Sequence, residues 1–162
     1  MITINPKNSE TKIIQEYLLS SVGPRPIALA STIDNNKIPN LSPFSFFNVF
    51  SGNPPILIFS PARRIRNNTE KDTLRNLKEN LEVVINVVNK DIAEKMVISS
   101  LDYDSNVDEF LESGLTHLKS DLIKPFRVKE SPVQMECKVN EIISLGKNGG
   151  AGNLVICEIL LI

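Results

Sequence analysis

The chain has 162 residues, the size of one ordinary domain built on a single buried core. Its 41% hydrophobic and 23% charged residues suit a soluble globular protein, and a net charge of −1 offers no basic surface for nucleic acid. No apolar run is long enough to cross a bilayer, "MITINPKNSE" is not a signal peptide, and two cysteines without CxxC spacing make no disulfide framework, so a reducing cytoplasm is the expected setting.

In chain order, "SETKIIQEYLLSSVG" predicts an amphipathic helix with Ile13, Ile14, Tyr17 and Leu18 on its apolar face and Gly23 as its end. "RPIALASTID" reads as a strand, and "DNNK" as a turn that sends the chain back. The following run, "PNLSPFSFFNVFSGNPP", holds four of the seven phenylalanines between serines and asparagines, and is partly extended. "PPILIFSP" is a short buried strand bounded by prolines. "EKDTLRNLKEN" predicts a helix with Thr69 or Asp72 as N-cap, and "EVVINVV" a β-branched strand.

The middle is more polar. "KDIAEKMVISS" and "NVDEFLESG" carry helical spacing, the second closed by Gly114. Two long strands follow, "PVQMECKVNEIISL" and "NLVICEILLI", joined by "GKNGGAG". Alternation in the first sets Val133, Met135, Cys137 and Val139 against Gln134, Glu136, Lys138 and Asn140. Antiparallel strands with few intervening helices indicate a barrel or a sandwich rather than a parallel α/β sheet. The chain stops at "EILLI", inside an apolar strand and without a polar tail, which points to a domain over residues 1–162 that is truncated at its C-terminus.

Several chemistries drop out. His117 is the only histidine and has no neighbouring cysteine or paired carboxylate in sequence, so a metal site or a hydrolase triad finds no support and a surface position is expected. Cys137 and Cys157 read as small core hydrophobes. "GKNGGAG" lacks the strand-to-helix setting of a phosphate-binding fingerprint and reads as a flexible hairpin loop.

Two segments remain. "SPARRIRNNTEKDT" brings Ser60, Arg63, Arg64, Arg66, Lys71 and Thr73 to the start of a helix, where cations, hydroxyls and unpaired N–H groups favour an anion. Asp72 is expected to cap backbone N–H groups there. The phenylalanine run offers apolar faces interleaved with hydrogen-bonding groups, as a planar heteroaromatic ring needs. Taken singly, each segment also reads as an ordinary loop. Together, a flat ring joined by a short chain to one phosphate describes FMN.

"SVGPRPIALAST", "NLSPFSFFNVFSGNPPILIFS", "KDTLRNLKEN" and "EVVINVVN", in this order, resemble the flavin reductase-like, FMN-binding split-barrel family, and "SPVQMECKV" and "GAGNLVICEI" fall where that family has strands. The resemblance implies a mainly β fold, a six-stranded antiparallel split β-barrel of Greek-key type with flanking α-helices. It also implies a homodimer with FMN near the subunit interface, and electron flow from NAD(P)H through FMN to a small-molecule or protein acceptor. A non-catalytic flavin-binding electron carrier, or a truncated dimeric barrel without cofactor, is the alternative.

Carried over position by position, the resemblance sets Ser42, Phe44, Ser45, Phe46, Phe47 and Asn48 along the isoalloxazine and ribityl chain. Ser60, Arg63, Lys71, Asp72 and Thr73 fall at the phosphate, and Arg25 beside the cofactor or interface. No residue is assigned an acid–base role in catalysis. Two departures stand out: Asn153 occupies a position where some relatives have histidine, and family members usually continue past Ile162.

Overall fold

The computed structural model describes residues 3–162. Nine strands and four α-helices are found among them: α1 (Thr11–Ser21), β1 (Ala28–Ile33), β2 (Pro39–Phe44), β3 (Phe47–Gly52), β4 (Pro55–Phe59), α2 (Asp72–Asn80), β5 (Glu82–Val87), α3 (Ala93–Ser99), α4 (Glu109–Ser113), β6 (His117–Leu118), β7 (Arg127–Val128), β8 (Gln134–Ser144) and β9 (Asn153–Leu161). Seven strands form one antiparallel sheet in the order β2-β1-β5-β8-β9-β4-β3, and β6 and β7 form a small ribbon.

That order makes the sheet curl. β2 and β3 lie at its opposite edges, yet only Ser45 and Phe46 separate them in the chain. Laid flat, the edges would stand about 29 Å apart, six spacings of about 4.8 Å. Three residue steps reach roughly 11 Å at most. The edges therefore approach each other across Ser45–Phe46, and the sheet becomes a barrel split at that point. The main sheet has seven strands rather than six because the phenylalanine run divides there into two.

Alternation decides what fills the barrel. Ala28 and Ala30 of β1 point inward with Phe44, Leu57, Phe59, Ile85, Met135 and Cys137, while Leu29 points outward to a second core with Leu41, Phe110 and Val128. The small β1 residues leave room for the Phe44 and Phe59 rings, which pack 5.5 Å apart. α2 packs on β1 and β2, and α3 and α4 pack on each other and on β2. Both cysteines are fully buried as expected, and burial foremost pushes the Cys137 thiol up to about 12. Among the described residues no helix is long and apolar enough to cross a membrane.

Three expectations need correction. The α1 face of Ile13, Tyr17 and Leu18 is exposed, at 42%, 46% and 54%, and α1 buries none of its residues. Its end is set not by Gly23 but by Val22 and by the Arg25 guanidinium, which donates to the Val22 carbonyl at 2.6 Å and also to that of Leu19. On β8, Glu136 is completely buried although it lies on the polar face. Its carboxylate accepts from the backbone N–H groups of Asp121 (2.8 Å) and Leu122 (2.7 Å), so a loop that covers β8 takes the place of water.

Candidate functional site

Most of the sequence-derived site residues meet in one cavity of about 540 Å³ beside the split. Ser42, Phe44, Ser45 and Phe46 line one side, from the end of β2 across the two-residue link. Ser60, Arg63, Lys71, Asp72 and Thr73 line the other, from the end of β4 to the start of α2. Gln15 and Leu19 of α1 and the 99–103 segment, from the last residue of α3 onward, complete the wall. The sheet order explains the meeting: Ser60 N donates to Phe46 O at 2.9 Å, tying the end of β4, where the cation segment begins, to the aromatic link.

Three candidates lie elsewhere. Phe47 packs against the barrel core. Asn48 is exposed, and its Oδ1 accepts from Val49 N at 2.8 Å. Arg25 caps the C-terminus of α1 rather than lining the cavity. Alternation turns Phe47 to the barrel core, and Asn48 lies further along β3, beyond the Ser45–Phe46 link that lines the cavity.

At the cation end the charges are unequal. Arg63 is committed to Glu70 (3.0 Å) and to Asn68 Oδ1 (2.7 Å). Arg64 donates to Glu70 O at 2.7 Å and lies 3.4 Å from both Asp72 and Asp102, and Arg66 also grips Asp102. Glu70 is held below the ordinary carboxylate range, chiefly by its hydrogen bond from Lys78. Lys71 has no carboxylate partner among the described residues, and its Nζ lies 5.2 Å over the Phe44 ring. Burial foremost, then repulsion by Arg64, lowers its pKa below the ordinary lysine value.

The start of α2 differs from expectation. Lys71, not Thr69 or Asp72, is the N-cap, and no side chain caps the helix. Asp72 instead pairs with Arg64 and Arg75, which leaves the Asp72 and Thr73 N–H groups without a protein acceptor among the described residues. The Thr73 hydroxyl donates to Asn40 Oδ1 at 2.7 Å, so its proton is already committed. Ser60, 9% exposed, has no hydrogen bond from its hydroxyl to any described residue and remains free to donate into the cavity.

Sequence reading missed a buried polar network in this wall, whose Asn40 and Glu109 themselves line the cavity. Glu109 of α4 accepts from Asn40 Nδ2 (2.7 Å) and Leu41 N (3.0 Å), while Asn76 donates to Thr32 at 3.1 Å. Asn40 thus links the α2 start to α4 through β2. Burial foremost raises the Glu109 pKa, with nearby Asp72 adding to it. The only usable signal was Asn40, a polar residue in a strand, and it could not name a partner 69 positions away.

The cation loop is also held from outside. Arg63 N donates to Ala151 O (2.9 Å), Gly150 N to Arg63 O (3.0 Å), and Asn68 Nδ2 to Lys147 O (3.0 Å). "GKNGGAG" is therefore docked rather than free. Asn153 donates to Pro61 O at 3.0 Å, a structural role at the position where the resemblance marks a departure. His117 is half-buried, not a surface residue: it stacks on Phe110 at 4.3 Å, with Nε2 3.0 Å from the Asp108 carboxylate. It does not line the cavity.

A model of the flavin reductase like domain matches residues 20–162. The chain belongs to that family. An uncharacterized protein of Aquifex aeolicus is 39% identical over 137 residues, which cover 85% of this chain and 69% of that relative. Component B of nitrilotriacetate monooxygenase from Bacillus cereus superposes with a TM-score of 0.92 at 29% identity, covering 99% of this chain and 80% of that one. The 2-nitrobenzoate 2-nitroreductase of Pseudomonas fluorescens gives 0.84 at 30% identity, over 99% and 75% of the two chains.

Proposed function

We propose that this flavin reductase like domain binds FMN in the cavity beside the split and moves electrons from NAD(P)H through it to an acceptor. The observation that carries the reading is the pairing of ends: one unpaired cation and one free hydroxyl at the α2 start, opposite an aromatic and serine-lined link. Arg63, Arg64 and Arg66 are already matched by Glu70, Asp72 and Asp102, which leaves Lys71 as the cation for a single phosphate monoester. That charge count favours FMN over a flavin with a pyrophosphate.

The chain's own residues would bind and orient. Lys71, the Ser60 hydroxyl and the Asp72 and Thr73 N–H groups are donors for phosphate oxygens at a helix start. Phe46, 40% exposed and lining the cavity, offers a ring face, and Ser42 and Ser45 offer hydroxyls to a polar ring edge. FMN, when bound, supplies the hydride and electron transfer chemistry, which accounts for a site without an acid–base pair. The test is titration of the purified chain with FMN and with riboflavin, followed by flavin absorbance. Tighter binding of FMN supports the reading.

The same reading includes a homodimer. β3 is an edge strand whose Val49 and Phe50 are 52% and 64% exposed, close to a cavity wall that α1 covers with its apolar face outward. A second copy would cover such surface. Sedimentation at micromolar concentration is expected to give roughly twice the 18.0 kDa chain mass. A single species at the chain mass would contradict the dimer.

A further inference from the structure

The hairpin between β8 and β9 approaches the cation loop more closely than any side chain would permit. At Gly149 an added Cβ would stand 2.9 Å from Ile65 O and 3.1 Å from Arg64 O, both backbone atoms that could yield only by moving the loop. Gly152 is different. Its Cβ would stand 2.6 Å from Ser60 Oγ, and the next atom, Leu145 Cδ1, lies at an ordinary 3.6 Å. The Ser60 hydroxyl thus occupies the space that a side chain at position 152 would take.

The backbone around Ser60 is fixed on both sides. Ser60 N is bonded to Phe46 O, and the Pro61 carbonyl is held by Asn153 Nδ2. An intruding methyl group at position 152 would therefore be met by rotation of the Ser60 side chain about χ1, since Oγ is the one light, free atom in contact. We propose that Gly152 is a positioning residue: by having no side chain it holds the Ser60 hydroxyl toward the cavity, where that hydroxyl selects a ligand bearing a phosphate monoester. The inference rests on the FMN reading above and extends it to a residue in the hairpin that does not itself line the cavity.

A double-mutant cycle tests it, with FMN and riboflavin titrated against wild type, Gly152→Ala, Ser60→Ala and the double variant. Each single variant is expected to lose about 10-fold in FMN affinity, the worth of one charge-assisted hydrogen bond. Riboflavin affinity should stay unchanged, and the double variant should bind FMN no worse than Ser60→Ala. A merely structural glycine would weaken both ligands, and its loss would add to that of Ser60. Unchanged FMN binding in Gly152→Ala, equal losses for the two flavins, or additive losses would each overturn the proposal. Should Gly152→Ala not fold, the double variant must fold, because removing Oγ removes the only atom closer than 3.6 Å; failure of both would overturn it too. Failure of the FMN reading shows in wild type alone, as FMN bound no tighter than riboflavin, and takes the inference with it. Failure of the inference by itself shows only as a difference among the variants.

Discussion

Replacing Lys71 with alanine is expected to lower FMN affinity roughly 10- to 100-fold, the value of a charge-assisted hydrogen bond of about 1.5–3 kcal/mol. Riboflavin, with the same ring and no phosphate, should bind the variant nearly as well as wild type. The separation is expected because Lys71 is the unpaired cation of the cavity, while the neighbouring arginines are held by carboxylates. It also has a pH signature. The Lys71 pKa lies below the ordinary 10.5, so the charge is lost earlier on the alkaline side than for an exposed lysine. FMN affinity should therefore fall as pH rises through that lowered value, with riboflavin affinity flat over the same range. Lys71→Arg should remove the fall, because guanidinium stays charged. Equal losses of FMN and riboflavin in Lys71→Ala would assign the lysine to the fold and not to the phosphate.

Phe59→Ala should be the most damaging single change to stability, at about 3–5 kcal/mol. Phe59 is fully buried at the end of β4, where it pairs with Phe47 of β3 and Val155 of β9 and packs its ring against Phe44. Its removal opens a cavity between the two strands that close the barrel beside the split, and neighbours fixed in two ladders cannot collapse into it. A domain stable by only about 5–15 kcal/mol would lose a large share of its margin. Phe44 lines the ligand cavity as well as the core, so flavin binding should weaken with stability. Denaturant unfolding measures the first effect; a loss near 1 kcal/mol would mean that the barrel repacks around the gap.

The sequence was most readable where periodicity and burial agree. Met135, Cys137 and Val139 alternate into the barrel as the pattern of β8 requires, and Gly114 closes α4 with φ 67°. The phenylalanine run and the "KDT" helix start were recognisable as two halves of one site because each is chemically odd for a loop. Local pattern could not show what covers a face. Glu136 looks solvent-facing on alternation alone and is buried by residues 121 and 122, and the apolar face of α1 looks core-facing and is exposed. Phe47 and Asn48 were grouped with the cavity because the break at Ser45–Phe46 is set by closure of the sheet, a long-range property. Asp72 was expected to cap α2, but Arg64 and Arg75 compete for its carboxylate. The docking of "GKNGGAG" was invisible for the same reason, since glycine spacing says nothing of the backbone on which it rests.

The central claim is that the cavity recognises a flavin by both its ring and its single phosphate. Parallel titrations of the wild-type chain with FMN and riboflavin, read by the flavin absorbance bands, address it most directly. The expected result is perturbed bands for both ligands, with FMN bound at least 10-fold more tightly, the contribution of one or more phosphate hydrogen bonds. Unperturbed spectra with all flavin lost on gel filtration, or equal affinity for the two ligands, would contradict the account.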